Sequence, residues 1–286
     1  MRIAVIGAGF AGLAATYYLS LKGFSVTLFD KKGIGAGASG ASAGLLHPYP
    51  GEHGRLSWHA DAAMEATREL LQVAEKQLGR AVASYSGILK KGECIGARDD
   101  VEKIAPDTFL IQSGITVFPK LYLEGLWKAC ASQGATVCQE EITTLPSFDC
   151  VVLAVGGEIK KFCQLELGLV KGQMLVCRLP TPLERSITAK KYIAITEDPH
   201  LCHIGSTYER GFASSEPCLE KAVQLLEPEY EVLECRAGLR VTNPAHYFPI
   251  LKKIDAKTWV ITALGSRGLL YHAYLGKKLT QEIGSA

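Results

Sequence analysis

None of the nine cysteines stands in a C-x-x-C pair, so the sequence offers neither the ligand spacing of a zinc site nor the density of a disulfide frame. They are scattered at Cys94, Cys130, Cys138, Cys150, Cys163, Cys177, Cys202, Cys218 and Cys235, several inside apolar runs such as Phe148-Asp149-Cys150-Val151-Val152. That pattern reads as reduced core thiols, with no metal site. No apolar run is long enough to span a bilayer, and no basic leader with an apolar stretch and cleavage site stands ahead of the opening strand. A cytoplasmic location and no membrane contact are therefore expected. Charge of one sign is equally scarce: 31 Lys+Arg against 29 Asp+Glu leave a net +2, too little to predict DNA binding. There are no internal repeats, and nothing fixes an oligomeric state.

What the chain does have is glycine, 29 of 286 residues. Residues 3–6 form a β-branched apolar run, followed at once by Gly7-Ala8-Gly9-Phe10-Ala11-Gly12 and a helical stretch through Leu13, Thr16, Tyr17 and Leu19. Gly7 permits the tight turn, Gly9 lets the backbone approach a pyrophosphate, and Gly12 lets the helix pack on the strand. The helix N-terminus then offers free N–H groups and a favourable dipole to the phosphates. Gly23 ends the helix, residues 25–29 make a second strand, and Asp30 closes it where a carboxylate accepts from adenosine ribose hydroxyls. NAD, NADP and FAD share this ADP half, and the fingerprint does not choose among them. The following small-residue run, 33–44, suits a long ligand continuing from pyrophosphate toward an isoalloxazine ring. With no second fingerprint to open an NAD(P) domain, FAD is expected, with the substrate itself as reductant.

Residues 58–79 carry Met64, Thr67, Leu71, Ala74 and Leu78 at helical steps, and 120–133 repeat the pattern with Leu123, Leu126, Trp127 and Cys130 before Gly134. Residues 135–137 and 150–155 read as strands, the latter ending in Gly156-Gly157. From 165 to 235 short alternating strands such as 192–195 and 201–204 predict an antiparallel sheet, interrupted by one helix near 216–227. Residues 258–264 return as a strand, with a closing helix from Leu269 onward. The expected fold class is α/β: a Rossmann-like dinucleotide domain of residues 1–80, 115–164 and 236–286, with a smaller α+β, mainly antiparallel, substrate domain of 81–114 and 165–235.

These segments together resemble the D-amino-acid oxidase superfamily of FAD enzymes. The resemblance rests on Gly7 to Gly12 with Asp30, Gly37-Ala38-Ser39-Gly40, Ala154-Val155-Gly156-Gly157, Ala237-Gly238-Leu239-Arg240 leading to Pro249, and Leu264-Gly265-Ser266-Arg267-Gly268-Leu269. Four features are most similar to the oxidase domain of the bifunctional tRNA 5-methylaminomethyl-2-thiouridine biosynthesis (MnmC) family. They are Gly-Ala-Ser-Gly at 37–40 leading to Leu46-His47-Pro48, Lys171-Gly172-Gln173, the run 205–210, and 265–269. One departure is Asn243-Pro244-Ala245-His246, where that family is expected to carry an acidic residue.

The resemblance implies oxidation of a C–N bond, and for that family the removal of the carboxymethyl group of a carboxymethylaminomethyl-uridine at a tRNA wobble position as glyoxylate. Its partners would be an amine substrate and a modified tRNA. The alternatives are a small-molecule oxidase for glycine, sarcosine or a D-amino acid, and a non-catalytic binding protein on the same fold. Arg240 matches the carboxylate-binding arginine of glycine-type oxidases and is the expected catalytic residue. The FAD is expected on Gly7, Gly9, Phe10, Ala11, Gly12, Asp30 and Lys31 at its adenosine and phosphates. Ala38, Ser39, Gly44, Ile142, Ala154, Gly156 and Gly157 would lie along its length, with Gly265, Ser266, Arg267, Gly268 and Leu269 beneath the flavin edge. His47, Tyr208, Tyr247 and Tyr271 are candidates for lining the substrate pocket beside Arg240, with no acid–base role.

Overall fold

In the computed structural model, which describes residues 1–225 and 230–285, the apolar run at the start becomes the strand Arg2–Ile6 at the middle of a six-stranded sheet. Its side chains alternate: Ile3 and Val5 enter a core under the helices, Ala4 and Ile6 a second core on the other face. A strand buried on both sides needs such an uninterrupted apolar sequence. Across the sheet the order is Ile250–Lys253, Thr258–Thr262, Cys150–Leu153, Arg2–Ile6, Ser25–Phe29 and Thr136–Cys138. All neighbours are parallel except the edge strand Ile250–Lys253.

Four helices cover one face: Phe10–Leu21, Ala60–Leu78, Pro119–Ser132 and Gly268–Gly284. The second is buried along Met64, Thr67, Leu71 and Ala74, as its spacing predicts, and ends at left-handed Gly79. Pro119 opens the third, where its missing N–H costs nothing. Gly125 sets it directly against Ala74, since a Cβ there would lie 2.6 Å from the Ala74 carbonyl oxygen.

The second sheet has eight strands, in the order Glu231–Thr242, Gly168–Arg178, Leu201–Gly205, Tyr192–Ile195, Ser186–Thr188, Ile88–Lys91, Thr108–Ile111 and Val101–Ala105. It is antiparallel except for Ser186–Thr188 on Ile88–Lys91. The two longest strands form a ribbon with a bulge at Val176/Cys177. One end of that ribbon places Leu175, Cys177, Val232 and Cys235 in a core of the second sheet, while Leu167, Leu169 and Val241 at the other end enter the core beneath the first sheet. The strand Glu231–Thr242 runs through residue 236 without a break, so Arg240 stands on the eight-stranded sheet.

A small third sheet, Leu45–Leu46, Ile115–Val117 and Ala83–Ser84, lies between the two. In place of one long helix near 216–227 there is a helical turn, Leu219–Ala222, continued as the 3-10 turn Val223–Leu225; residues 226 and 227 fall outside the described residues. Cys94, Cys130, Cys150, Cys177 and Cys202 are buried free thiols, whereas Cys138, Cys163, Cys218 and Cys235 are only partly covered. Among the described residues no helix is long and apolar enough to cross a membrane.

Candidate active site

The glycine turn after the first strand is shaped by what surrounds each Cα. Gly7 adopts φ +104°, and a Cβ there would meet the Ala154 carbonyl oxygen at 2.4 Å. A Cβ on Gly12 would fall 1.7 Å from the Gly7 carbonyl oxygen, so strand and helix close on each other only if both residues are bare. Gly9 caps the helix without a side chain. The Phe10 N–H donates to Ser39 Oγ at 2.9 Å, which leaves the next N–H groups of the first turn for an anion. Asp30 accepts from the Ala8 N–H through Oδ2 (2.9 Å) and from Lys32 and Gly33 through Oδ1 (2.9 and 3.0 Å). Of its roughly four lone-pair sites, one on Oδ2 is left, enough for a single ribose hydroxyl.

The small-residue run is folded onto this turn. Gly35 donates to the Ala8 carbonyl (2.9 Å), Gly40 to that of Gly35 (3.0 Å), and Gly44, at φ +81°, exchanges backbone contact with Val117. Ala38 and Ala41 rest on Gly238, where a Cβ would come within 2.9 Å of Ala38 Cα. A cavity of about 600 Å³ is lined by Gly37 of this loop together with Leu123, Trp127, Pro217 and Arg236.

At the other end, Ala263 and Gly265 both take positive φ as the strand Thr258–Thr262 turns through Gly265–Arg267 into the last helix. Beneath it His272 is wholly buried. A carbonyl can only accept, so Nδ1 carries the proton given to Leu269 O (2.8 Å), and Tyr122 donates its hydroxyl to Nε2 (2.6 Å). Burial pushes His272 down to about 4; His203, also buried and beside Arg236, is pushed down to about 4 as well. Both rings stay neutral in the fold but take protons once unfolded, so stability falls as pH drops from 6.5 toward 4. Each site should cost about 2 kcal/mol at pH 5. We expect the melting temperature to fall by about 5–10 °C between pH 7 and pH 5 on this account, with a shallower slope for His272→Gln; equal slopes in a pH series of thermal melts would count against it.

Arg240 lies opposite Val170, on the face of the ribbon it shares with Gly238 and Arg236. Gly172 makes room for it: a Cβ there would sit 2.4 Å from the guanidinium carbon. Arg240 donates to Ser206 Oγ (2.8 Å) and to the Thr207 carbonyl (3.5 Å). Burial raises Tyr192 to about 12, with the Arg240 charge and a hydrogen bond to Ser206 acting the other way, so it remains a protonated phenol able to donate. Segment 206–218 is held by the residues flanking Gly172. Buried Gln173 donates to Glu209 Oε1 (2.7 Å) and accepts from the Cys218 N–H (2.5 Å), its own N–H reaches Thr207 Oγ1 (2.9 Å), and buried Lys171 donates to the Glu216 carbonyl (2.5 Å). The Lys-Gly-Gln triplet thus fixes the segment that in turn fixes Arg240.

Gly7, Gly9, Ala11, Gly12, Asp30, Ala38, Ser39, Gly44, Ala154, Gly156 and Gly157 lie along the carboxyl edge of the first sheet or on the loop folded over it. Phe10 and Leu269 are core residues, with Phe10 packed on His272 and Tyr122. Ile142 packs at the margin of the core on the opposite face. Lys31 is engaged by Glu158 and, at 3.6 Å, Glu141, which sets its ammonium beside carboxylates. His47, half-buried and close to the Lys90 charge, is lowered to about 4 and accepts from the Tyr49 N–H.

Two of the residues expected in the pocket differ in exposure. Tyr271 is fully buried and packs against Arg267 and Trp58. Tyr208 is 55% exposed, on the rim. Ser206 and the Thr207 carbonyl, within the run 205–210, are the groups that meet Arg240, and Tyr192, which the pattern does not single out, lies close enough to feel its charge.

The profile of the FAD dependent oxidoreductase family, DAO, matches residues 2–282. The bifunctional tRNA 5-methylaminomethyl-2-thiouridine biosynthesis protein MnmC of Campylobacter jejuni is 28% identical over 269 residues, covering 84% of this chain and 43% of that protein. The chain therefore spans less than half the length of the curated relatives of that kind. A putative thiamine biosynthesis oxidoreductase, ThiO, of Rhizobium etli is 52% identical over 50 residues, 17% of this chain and 15% of its own. Among solved structures, glycine oxidase from Geobacillus kaustophilus superposes with a TM-score of 0.79 at 20% identity over 98% of this chain and 95% of its own. Iminodiacetate oxidase from Chelativorans sp. BNC1 does so with 0.80 at 20% over 99% and 95%. At these identities the structural likeness is one of fold, and it agrees with the expected α/β architecture.

Proposed function

The chain belongs to the DAO family of FAD dependent oxidoreductases, and we propose that it oxidises the C–N bond of an N-substituted glycine, with carboxymethylaminomethyl-uridine at a tRNA wobble position as the favoured substrate. The observation that carries this reading is Arg240, a planar fork held by Ser206 and the Thr207 carbonyl on the sheet beside the small-residue loop. In this reading the six-stranded sheet holds the cofactor and the eight-stranded sheet the substrate.

The cradle at Gly7, Gly9, Gly12 and Asp30 fits the ADP half, the loop 38–44 the ribityl stretch, and the turn Gly265–Arg267 the flavin edge. When bound, FAD accepts the hydride released from the carbon next to the amine. Arg240 takes the substrate carboxylate through two parallel N–H groups and so fixes the position of the adjacent carbon. Tyr192, kept protonated, donates to the same carboxylate. The backbone N–H groups and helix dipole at Gly265–Gly268 would hold the flavin edge and favour negative charge there. Loss of the hydride leaves a substrate imine; water adds to it, and the C–N bond breaks to give glyoxylate and an aminomethyl-uridine.

Mixing the yellow protein anaerobically with carboxymethylaminomethyl tRNA, and separately with glycine or sarcosine, tests the reading. Bleaching by the tRNA supports it. Bleaching by the small amines alone would transfer the activity to a small-molecule oxidase, the second reading, which the fold likeness to glycine and iminodiacetate oxidases favours.

A further inference from the structure

Large aromatic side chains crowd the surface around Arg210 and Arg267. Tyr247 and Phe248 are 50% and 41% exposed, and Tyr208 directly follows Thr207, which takes a bond from Arg240. Tyr247 holds φ +56°, a strained value for a bulky residue. It is kept there by its N–H to the Asn243 carbonyl (3.0 Å) and by Arg267 donating to its own carbonyl. Arg210 lies over the Tyr208 ring at 5.6 Å and also bonds Tyr247. Phe248 packs against Trp58 at 5.7 Å. Among the described residues neither Arg210 nor Arg267 pairs with a carboxylate, so both charges are uncompensated at the rim.

We propose that Tyr208, Tyr247 and Phe248, with Arg210 and Arg267, form a stacking platform for the unpaired bases of a single-stranded RNA loop at the mouth of the Arg240 site. The inference rests on the modified-uridine reading. A nucleotide whose 5-substituent must reach Arg240 has to leave its stack, and its neighbours then lose a face each. Exposed aromatic rings replace those faces without regard to base identity, and guanidinium charges with no carboxylate beside them meet the phosphates. Such a local device suits a chain whose net charge of +2 gives no general pull on a polyanion.

The test measures binding of an anticodon stem-loop carrying carboxymethylaminomethyl-uridine at the wobble position to the FAD-loaded protein, by fluorescence anisotropy. Tyr247→Ala and Phe248→Ala should each weaken binding about tenfold, while Tyr247→Trp and Phe248→Tyr retain it, with flavin content and melting temperature as checks on folding. Alanine variants that bind like wild type, or aromatic variants as weak as the alanine ones, overturn the platform. Flavin reduction by the same stem-loop and by sarcosine is read in parallel. If the stem-loop reduces the flavin but alanine variants bind it normally, the platform is wrong and the tRNA reading stands. Ring-dependent binding without reduction supports the platform and removes the tRNA reading. If the stem-loop neither binds nor reduces while sarcosine does, both fall.

Discussion

Arg240→Ala is expected to slow flavin reduction by a carboxylated amine by roughly a hundredfold or more while leaving FAD content unchanged. The size follows from the role proposed for the fork: it would bind a carboxylate through two parallel, charge-assisted hydrogen bonds and so set the carbon from which the hydride leaves. Truncation removes both effects and leaves a cavity over Gly172, a residue that is bare to admit the guanidinium. Ser206 Oγ and the Thr207 carbonyl lose their donor at the same time. Arg240→Lys should recover little, because an ammonium is a point charge and cannot reach Ser206, Thr207 and a carboxylate from one plane. Stopped-flow reduction across substrate concentrations measures this directly. An amine lacking the carboxylate should be slow with wild type and variant alike. Unchanged kinetics for a carboxylated amine would remove Arg240 from the site.

Gly12→Ala is expected to give protein that takes up no FAD even when the cofactor is supplied in excess. One methyl group is enough, because it would have to occupy a point 1.7 Å from the Gly7 carbonyl oxygen, and that oxygen is backbone, fixed by Gly7 N–H pairing with Phe29. The helix must move off the strand. The N–H groups of the helix's first turn move with it, and the Phe10 bond to Ser39 that anchors the covering loop is broken. Gly37→Ala is the control, since a Cβ there meets nothing within 4 Å. Absorbance at the flavin band after FAD loading, with a thermal melt beside it, reads the outcome. A yellow Gly12→Ala protein of normal stability would contradict the packing.

The contrast between these two residues shows what a sequence can disclose. Gly12 is legible because its neighbours are local: strand, turn and helix follow one another, and the glycine requirement appears as a spacing. The role proposed for Arg240 is legible only through resemblance. Its partners Ser206 and Thr207 lie more than thirty residues away and reach it by strand pairing, which leaves no periodic trace. Lys171-Gly172-Gln173 was visible as a motif, but its mechanical role needs the register that sets Gly172 opposite Gly238. The full burial of Tyr271 is not legible, because a tyrosine beside a glycine turn reads the same whether it packs inward or faces outward. The helix near 216–227 was overestimated because a few apolar residues at helical steps do not distinguish one turn from three.

The long two-stranded ribbon has a consequence for how the molecule works over time. Each end is clamped in a different core, so it acts as a stiff beam joining the two sheets, and bending it would pull Leu175 and Cys177 from one anchorage or Leu167 and Val241 from the other. Rotation of one sheet against the other would have to break one of these anchorages. The strand that carries Arg240 is thereby tied to both cores along its length.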